Sequence, residues 1–333
     1  MARLLSNNSS ENRIDLSKSP YDQSTFMGRL RYFAWVTDPR LTIIPSKQIY
    51  ESKELLEKYR HCQEPAGTTE KQIRRAQQIY LSAFHPDSGD LQNLFGRMSF
   101  QVPGGMVLIG AMITFYKSTG AVIFWQWANQ SFNALVNYTN SNATMEVNNK
   151  QLATAYVSAT TSALVVALGL KKVLATRASP LVQRFVPFAA VAAANAVNIP
   201  LMRQSELVDG ILVCDENGNP ITKSKYAAVK GIGQVLISRI FIAAPSMTVL
   251  PVLMERLEKT KLFRRHGWLS GACQVLFSGL LLLITVPVGC AIFPQRCSIS
   301  SSQLSILDHK RVEELRKAGS VNLPERLYFN KGL

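Results

Sequence analysis

Charge is scarce in this 333-residue chain, and the motifs of the common enzyme classes are missing from it. Only 18% of the residues are charged and the mean hydropathy is slightly positive, whereas about a quarter of the residues of an average soluble protein are charged. The sequence has no phosphate-binding loop, no Ser/His/Asp set and no paired acids for general acid–base catalysis. We therefore expect neither an enzymatic activity nor a cofactor.

Cysteine is also scarce, and its spacing does not suggest a metal centre. The five residues lie at positions 62, 214, 273, 290 and 297, without a C-x-x-C pair or a histidine at zinc-site spacing. An odd and scattered set is typical of free thiols in a reducing compartment. We expect structural thiols and no metal site.

Signal sequences and a nucleic-acid footprint are missing as well. Residues 1–25 have no apolar core, and their acidic residues Glu11, Asp15 and Asp22 argue against a cleaved mitochondrial presequence. The net charge of +15 is not gathered in a basic stripe, because residues 1–100 hold 14 Lys and Arg against 11 Asp and Glu. We expect any organelle address inside the mature chain and no nucleic-acid partner.

Apolar segments recur beyond residue 100, and they predict an all-α, polytopic integral membrane protein with about five transmembrane helices. The segments are Val102–Tyr116 with its continuation Ala121–Ala128, Leu152–Leu170, Phe185–Arg203, Gln234–Met254 and Trp268–Phe293. The first is short for a full crossing. The predicted regions are a helical N-terminal region (1–100), a transmembrane helical domain (101–294) and a short C-terminal tail (295–333).

Helices are also predicted outside the membrane domain. Residues 21–37 have an amphipathic pattern that suits either a membrane surface or packing on neighbouring helices. Ser46 can cap a second helix, and Thr68 and Thr69 open a third, which ends at a strong stop signal that begins at Phe84. The turn-rich segment 203–230 predicts a loop or small hairpin. In the tail, residues 304–318 predict another helix.

The charges of the loops predict a topology. Loops 171–184 and 255–267 together carry +7, whereas loops 117–151 and 203–232 carry +1 and 0. Five spans would place the two ends of the chain on opposite faces, with the basic loops on the N-terminal side. By the positive-inside rule that side is the matrix if the membrane is the mitochondrial inner membrane.

Two groups of amides lie within the membrane domain. Gln130, Asn133, Asn137 and Asn140 form one helical stripe, which suits a zwitterionic ligand or an interfacial helix that faces water. Asn195 and Asn198 lie three residues apart in an alanine-rich segment. Those two amides either face a substrate or form hydrogen bonds between helices, and the alanines would let another helix approach closely.

Other polar and helix-breaking residues have two interpretations each. Arg239 either extends its guanidinium to the membrane surface from a loop end or pairs with a substrate carboxylate. Prolines within the spans are either hinges of a transporter or packing kinks; they are Pro187, Pro200, Pro245 and Pro251. The sequence His85-Pro86-Asp87 is shared with the J-domain of Hsp70 co-chaperones, but the helix that should follow is too short.

Several motifs in a fixed order resemble the sideroflexin family over nearly the whole chain. They are Thr37–Arg40, Ser82–Gly89, Gly96–Ser99, Phe124–Trp127, Asn129–Asn140, Phe185–Asn195, Asn198–Arg203, Ser238–Arg239 and Tyr328–Leu333. The chain has Ser88-Gly89-Asp90 where the family commonly has Thr-Gly-Glu. It has Ala196 where the family often has cysteine, so a role of that thiol is not expected here.

The resemblance implies a multi-pass protein of the mitochondrial inner membrane that transports L-serine and other small neutral amino acids for one-carbon metabolism. It also implies a link to iron and haem homeostasis, and internal targeting read by the mitochondrial import machinery. Membrane lipid is the expected surrounding. In the resulting hypothesis the amides hold the ammonium and hydroxyl groups, Arg239 or a broken helix N-terminus holds the carboxylate, and His85 and Asp87 form a gate or clasp.

Two other functions remain open from the sequence. The chain could be a membrane scaffold or assembly factor for iron or respiratory-complex maturation, without solute transport. The His85-Pro86-Asp87 sequence leaves an Hsp70 co-chaperone as a third reading.

Overall fold

The computed structural model describes residues 13–16, 18–85, 88–139, 149–174, 179–304, 308–309, 313 and 324–331. The N-terminal region contains α1 (Phe26–Val36), α2 (Ser46–Arg60) and α3 (Glu70–Ala83). The later helices are α4 (Gln101–Thr114), α5 (Thr119–Thr139), α6 (Asn149–Leu174), α7 (Pro180–Gln183), α8 (Val186–Met202), α9 (Gln204–Asp209), α10 (Lys225–Leu257), α11 (Lys261–Arg265) and α12 (Trp268–Ala291). The strands are β1 (Ile211–Cys214), β2 (Pro220–Ser224), β3 (Arg296–Ser300) and β4 (Arg326–Asn330).

Four helices are long and apolar enough to cross a membrane, namely α6, α8, α10 and α12, and a shorter apolar helix covers Met98–Thr114. Helix α10 has 33 residues, or about 50 Å, so it extends beyond a hydrocarbon core of about 30 Å. These helices confirm the predicted all-α, polytopic membrane protein.

The N-terminal region packs on itself and on the end of the bundle. Helix α3 begins with a reciprocal capping box between Thr69 and Gln72, at the start that the sequence predicts. The predicted cap by Ser46 is wrong, because α2 begins at Ser46 itself, after Pro45, and has no side-chain cap bond. Helix α1 buries Phe33 and Val36 against Ala291 at the end of α12. Of the two interpretations of residues 21–37, the structure therefore supports a helix packed on its neighbours.

Helices α4 and α12 run antiparallel in close contact because small residues line their interface. A Cβ atom added at Gly110 would lie 2.7 Å from Val275, too close for any side chain. One turn away, the Ser278 hydroxyl donates to the Met106 carbonyl at 3.0 Å. The short helix α4 is thereby held inside the bundle along its length.

Helix α5 returns antiparallel to α4 instead of continuing it. Phe115 stacks on Trp125 with ring centroids 6.2 Å apart, and an added Cβ at Gly104 would lie 2.8 Å from the Phe132 ring. Lys117 stands at the turn between the two helices, where the Lys171 ammonium at the end of α6 donates to its carbonyl at 2.6 Å. The charge at position 117 therefore marks a turn, and α4 and α5 form a helical hairpin.

This hairpin changes the topology expected from the sequence. Arg29 Nε donates to the Ala291 carbonyl at 2.9 Å, and Lys331 Nζ donates to the Phe293 carbonyl at 3.1 Å. The N-terminal region and the end of β4 therefore lie at the same end of the bundle. The expectation that the two ends of the chain lie on opposite faces is wrong. Helix α5 is an additional pass through the bundle, and Lys117 was not identified from the sequence as the turn before it.

The two ends of the bundle differ in composition. We call the end with residues 115–118, 179–184 and 258–267 the basic face, and the end with the N-terminal region and the strands the sheet face. Arg184 and Glu258, from two of the basic-face segments, form an ion pair at 2.6 Å. The basic loops thus lie opposite the N-terminal region, not beside it.

Helices α6 and α8 approach each other along two stripes of small residues. On α6 these are Ala155, Ala159, Ala163 and Ala167, each at most 1% exposed. On α8, Val186, Ala190, Ala194 and Asn198 follow the same four-residue spacing and are also buried. Because small side chains allow the helix axes to come close, the expectation of an alanine-lined contact for this segment is confirmed.

A four-stranded sheet covers part of the sheet face, in the order β2-β1-β4-β3. The β1–β2 hairpin confirms the hairpin expected between residues 203 and 230. The sheet also includes β4 near the C-terminus, which the sequence does not predict as a strand. Most of the tail helix expected at 304–318 lies outside the described residues.

Ala163→Leu should destabilise the protein, because the larger side chain has no room between α6 and α8. We expect a loss of about 1–3 kcal/mol, measured by thermal or denaturant unfolding in detergent. Ala153→Leu on the exposed face of α6 is the matched control and should have little effect. Equal losses from both changes would contradict the close α6–α8 contact.

Single-cysteine labelling in sealed vesicles tests the shared location of the chain ends. Each variant keeps or gains a single cysteine and has all other cysteines replaced. The exposed Cys62 and Glu216→Cys should react with an impermeant maleimide from the same side. Arg265→Cys should react only from the other side. Labelling of Cys62 and Arg265→Cys from one common side would refute the arrangement.

Candidate functional site

Helix α5 carries four amides on one face, Gln126, Asn129, Gln130 and Asn133, which we call the amide row. Their spacings of three and four residues bring them together on the helix surface. Gln126, Asn129 and Gln130 are 2%, 8% and 3% exposed, and Asn133 is half-buried. The bundle encloses this face, so the alternative of an interfacial helix with water-facing amides does not fit α5.

Three buried atoms of the amide row have no hydrogen-bond partner among the described residues. They are Gln126 Oε1, Asn129 Nδ2 and Gln130 Nε2, one acceptor and two donors. Each such group costs about 1–3 kcal/mol when it is left unsatisfied. Rotation of an amide exchanges its oxygen and nitrogen, so the row offers both donors and acceptors in either orientation.

Small residues of α6 and α8 lie next to the row. Val122, one turn before Gln126, packs in one cluster with Ala167, Val186 and Ala190. Since Gln126 and Gln130 follow Val122 at four-residue spacing, the row continues along the contact between α6 and α8. The neighbouring side chains of this contact are mostly alanines, which are too short to fill the space above the amides.

Helix α6 also carries buried and half-buried hydroxyl groups, and one of them contacts α5. Thr160 Oγ1 is buried and has no hydrogen-bond partner among the described residues. Near it along α6, the Tyr156 hydroxyl lies 2.9 Å from the Ser131 hydroxyl of α5. The α5–α6 contact is therefore polar at mid-depth and apolar around Val122.

The two amides of α8 face different neighbours. Asn198 continues the buried stripe of Ala190 and Ala194, which faces α6. Asn195 lies on the stripe of Val191 and Ile199; Ile199 packs on Ile232 and Val235 of α10. Neither amide forms a hydrogen bond with another described residue, so the interhelical bonds that were the alternative are not made.

Two members of the predicted amide stripe cannot be placed. Asn137 belongs to α5, but its side chain lies outside the described part of the structure, as does Asn140 entirely. Of the predicted stripe, the structure therefore places Gln130 and Asn133 in the amide row.

Arg239 is not brought to the amide row. Helix α10 begins at Lys225, so Arg239 lies about 21 Å along the helix from its start and not near a loop end, as the sequence suggested. Its guanidinium lies near the Cys290 thiol of α12. The described residues offer it no hydrogen-bond or ion-pair partner.

The four predicted hinge prolines lie within continuous helices. Pro187 occupies the first turn of α8, where the missing N–H breaks no bond of the helix ladder. Pro200 lies inside α8, and Pro245 and Pro251 lie inside α10. In the described residues these two helices continue through their prolines, so they present no internal N-terminus for a carboxylate.

The gate or clasp lies in the N-terminal region. His85 is 7% exposed and closes a tight turn after α3, where its carbonyl accepts from the Gly89 amide at 3.0 Å. Its Nδ1 atom accepts from the Ser88 amide at 3.3 Å. Asp87 lies outside the described residues. These contacts shape the turn after α3, and the role of His85 and Asp87 as a gate or clasp stays a prediction.

A cavity opens beside the first residues of the amide row, near the basic face. Its volume is about 120 Å³ and its lining comes from α4, α5, α6 and α8. Gln126, Lys117, Lys171 and Gln183 are polar groups of this lining. The amide row therefore begins at a cavity and continues from it into the bundle.

A chain of polar contacts joins four helices beside this cavity. The Glu258 carboxylate accepts from Arg184 Nη2 at 2.6 Å and from the Ser270 hydroxyl at 2.7 Å. Gln274 Nε2 donates to Ser270 at 3.0 Å, and Gln274 Oε1 accepts from Thr114 at 3.2 Å. Partial burial of Glu258 opposes its ionisation, but the hydrogen bonds from Arg184 and Ser270 outweigh it and lower the pKa of the carboxyl.

Sequence reasoning missed several members of this site. Gln126 and Asn129 precede the predicted stripe. Extending the stripe toward the start of α5 by both three-residue and four-residue spacings would have included them. Lys117 and Lys171 were counted only as loop charges. The unpartnered hydroxyl of Thr160 had no signal in the sequence, because threonine is common in membrane helices and usually bonds to its own backbone.

Comparisons with known proteins agree with the resemblance noted from the motifs. A family model described as sideroflexins matches residues 15–333. Sideroflexin-2 of Drosophila melanogaster is 51% identical over 96% of this chain and 98% of its own length. Sideroflexin-2 of Homo sapiens is 49% identical over 94% and 96%, and sideroflexin-1 of Mus musculus is 49% identical over 96% and 98%. No solved structure matches the chain.

Glu258→Gln should weaken the contact between α7, α10 and α12 at neutral pH, because Arg184 loses its anionic partner. We expect a Tm lower by about 2–4 °C in detergent. Since the folded pKa of Glu258 is lowered, its contribution is present above the ordinary glutamate value near 4.3 and is lost as the pH falls through the folded value. The wild type should therefore lose its advantage over the variant as the pH falls below about 4.

Glu255→Gln is the matched control, because Glu255 forms only an exposed pair with Lys259 at 3.3 Å. Its Tm should stay near that of the wild type at every pH. The same loss and the same pH dependence in both variants would show that the Arg184–Glu258 pair has no special role.

Proposed function

The chain belongs to the sideroflexin family, and on that premise we propose that it carries L-serine and other small neutral amino acids across the mitochondrial inner membrane. The observation that carries the proposal is the amide row, whose buried atoms at Gln126, Asn129 and Gln130 have no described partner. A helix that only anchors a protein in the membrane does not need buried polar atoms without partners, because each of them destabilises the folded bundle. A polar solute that passes along α5 would satisfy them.

The chemistry of the row matches a neutral zwitterion. Gln126 Oε1 can accept from an ammonium or hydroxyl group, and the amide nitrogens of Asn129 and Gln130 can donate to a hydroxyl or carboxylate oxygen. The row itself contains no ionised side chain, so it favours a solute without net charge over a cation or an anion. Serine has one group of each required kind.

The position of the row supports a path through the bundle. It begins at the cavity near the basic face and reaches Asn133, about 10 Å further along α5, with Asn198 of α8 on the stripe that continues toward the sheet face. Alternating access would then require α8 and α10 to move relative to α5. Pro200, Pro245 and Pro251 are the proposed hinges for that movement.

The orientation follows from the charges at the two ends of the bundle. By the positive-inside rule we place the basic face in the matrix, which puts the N-terminal region on the other side, opposite to the orientation expected from the sequence. The mitochondrial location, internal targeting through the import machinery and the links to one-carbon metabolism, iron and haem are proposed on the family resemblance.

Removal of the amides should stop transport without preventing membrane insertion. Asn129→Leu and Gln130→Leu should each lower the uptake of labelled L-serine into proteoliposomes by at least about tenfold, because a lost hydrogen bond to a charged group is worth about 1.5–3 kcal/mol. Gln204→Leu makes the same kind of change at an exposed amide of α9 and should transport normally.

The controls separate the possible failures. Equal protein incorporation and unchanged thermal stability must accompany the lost uptake. Full uptake by both α5 variants would refute the role of the amide row. If vesicles with the wild-type protein accumulate no more L-serine than empty vesicles, the transport function itself is wrong, and the scaffold or assembly function becomes the better account.

A further inference from the structure

We propose that the cavity at the basic face binds the carboxylate of the transported amino acid, and that Lys171 is the residue that holds it. This inference rests on the proposed function, because it names the recognition step at one end of the same path. It replaces Arg239 as the carboxylate partner, since Arg239 lies toward α12 and away from the amide row.

The cavity forms where four helix ends converge. The end of α4, the start of α5, the end of α6 and the start of α8 all contribute to its lining. Its volume of about 120 Å³ is small beside the roughly 300–1,000 Å³ of pockets for drug-sized ligands. Apolar walls include Trp125 and Phe115. The space suits a molecule of a few heavy atoms.

The charged groups of the lining are cationic. Lys117 and Lys171 belong to it, and none of its described lining residues is acidic. Lys171 Nζ donates to the Lys117 carbonyl at 2.6 Å and to the Thr119 hydroxyl at 3.0 Å, and neither partner is charged. Because an ammonium group has three N–H donors, one donor and the full positive charge are left for an anion.

The nearby acid does not neutralise Lys171. Glu258 lies close enough to Lys117 to feel its charge, but its carboxylate oxygens accept from Arg184 and Ser270. The negative charge of Glu258 is thus balanced by Arg184. Lys171 has no ion-pair partner in the described part of the chain.

The Gln126 side-chain amide at the floor of the cavity complements the second polar group of the ligand. Gln126 is 2% exposed, lines the cavity and has an unpartnered Oε1 atom. A cation at the mouth and a buried acceptor at the floor match the two ends of an amino acid. The carboxylate would lie toward Lys171, and the ammonium or hydroxyl group would lie toward Gln126 and the amide row.

A lipid phosphate is the other anion that Lys171 would attract, because basic pockets between membrane helices also bind anionic headgroups. The buried and unpartnered Gln126 favours the amino acid, since a headgroup at the membrane surface would leave that acceptor unsatisfied. The test below therefore compares lipid compositions.

Binding of small probes to the purified protein in phosphatidylcholine nanodiscs tests the proposal independently of transport. The fluorescence of Trp125 reports on the cavity, and Trp125→Phe identifies its part of the signal. The probes are L-serine, L-alanine and ethanolamine, the last of which is serine without its carboxylate. Lys171→Gln should weaken L-serine and L-alanine about tenfold and leave ethanolamine unchanged.

Two further variants keep the result specific. Lys171→Arg retains the charge and should bind L-serine within about threefold of the wild type. Lys172→Gln removes the same charge from the next residue, which is exposed and does not line the cavity, and should bind L-serine like the wild type. Unchanged thermal stability of Lys171→Gln shows that the loss is not due to unfolding.

Several results would overturn the proposal. These are an equal loss for ethanolamine and L-serine in Lys171→Gln, an equal loss in Lys172→Gln, or no response of the wild type to either carboxylate probe. An effect of Lys171→Gln that appears only when anionic lipid is added would assign the site to a lipid phosphate. Carboxylate-dependent binding without uptake in proteoliposomes would support this site and refute the transport function, so the two failures are distinguishable.

Discussion

A polar group buried inside an apolar helical bundle needs a partner, because the surrounding membrane offers it no water. Helix α5 depends on this constraint more than any other described element. Its outer face carries exposed Phe124 and Trp127, while its inner face carries the amide row. The packing of α4, α6 and α8 around α5 buries Gln126 Oε1, Asn129 Nδ2 and Gln130 Nε2 without a partner among the described residues, and the proposed solute would satisfy these atoms.

Close helix packing makes the enclosure narrow. Alanines spaced by four residues bring α6 and α8 together, and glycines on α4 admit α12 and the rings beside α5. Ala167, at the end of the α6 stripe, lines the cavity beside Gln126, where the amide row begins. The contact between α6 and α8 leaves no room for larger side chains at its buried alanines, so close packing fixes the small residues there.

Composition and periodicity predicted the helical membrane domain, the helices of the N-terminal region with the Thr69 cap of α3, and the alanine-rich contact of α8. The amide site was predicted in part: Gln130 and Asn133 belong to it, but Arg239 is placed elsewhere. The remaining differences have one physical cause. Hydropathy counts apolar residues along the chain, so it could not show that Lys117 lies at a turn. It also could not show that Lys171, 54 positions further along the chain, donates to the Lys117 carbonyl.

The most direct measurement of the central claim is a cryo-EM structure of the protein in nanodiscs with saturating L-serine. It should show the amino acid between α5 and α8, with polar atoms within about 3.2 Å of the side-chain amides of Gln126, Asn129 and Gln130. Those amides bonded instead to neighbouring side chains or to ordered water, with L-serine absent from the bundle or bound elsewhere, would contradict the claim.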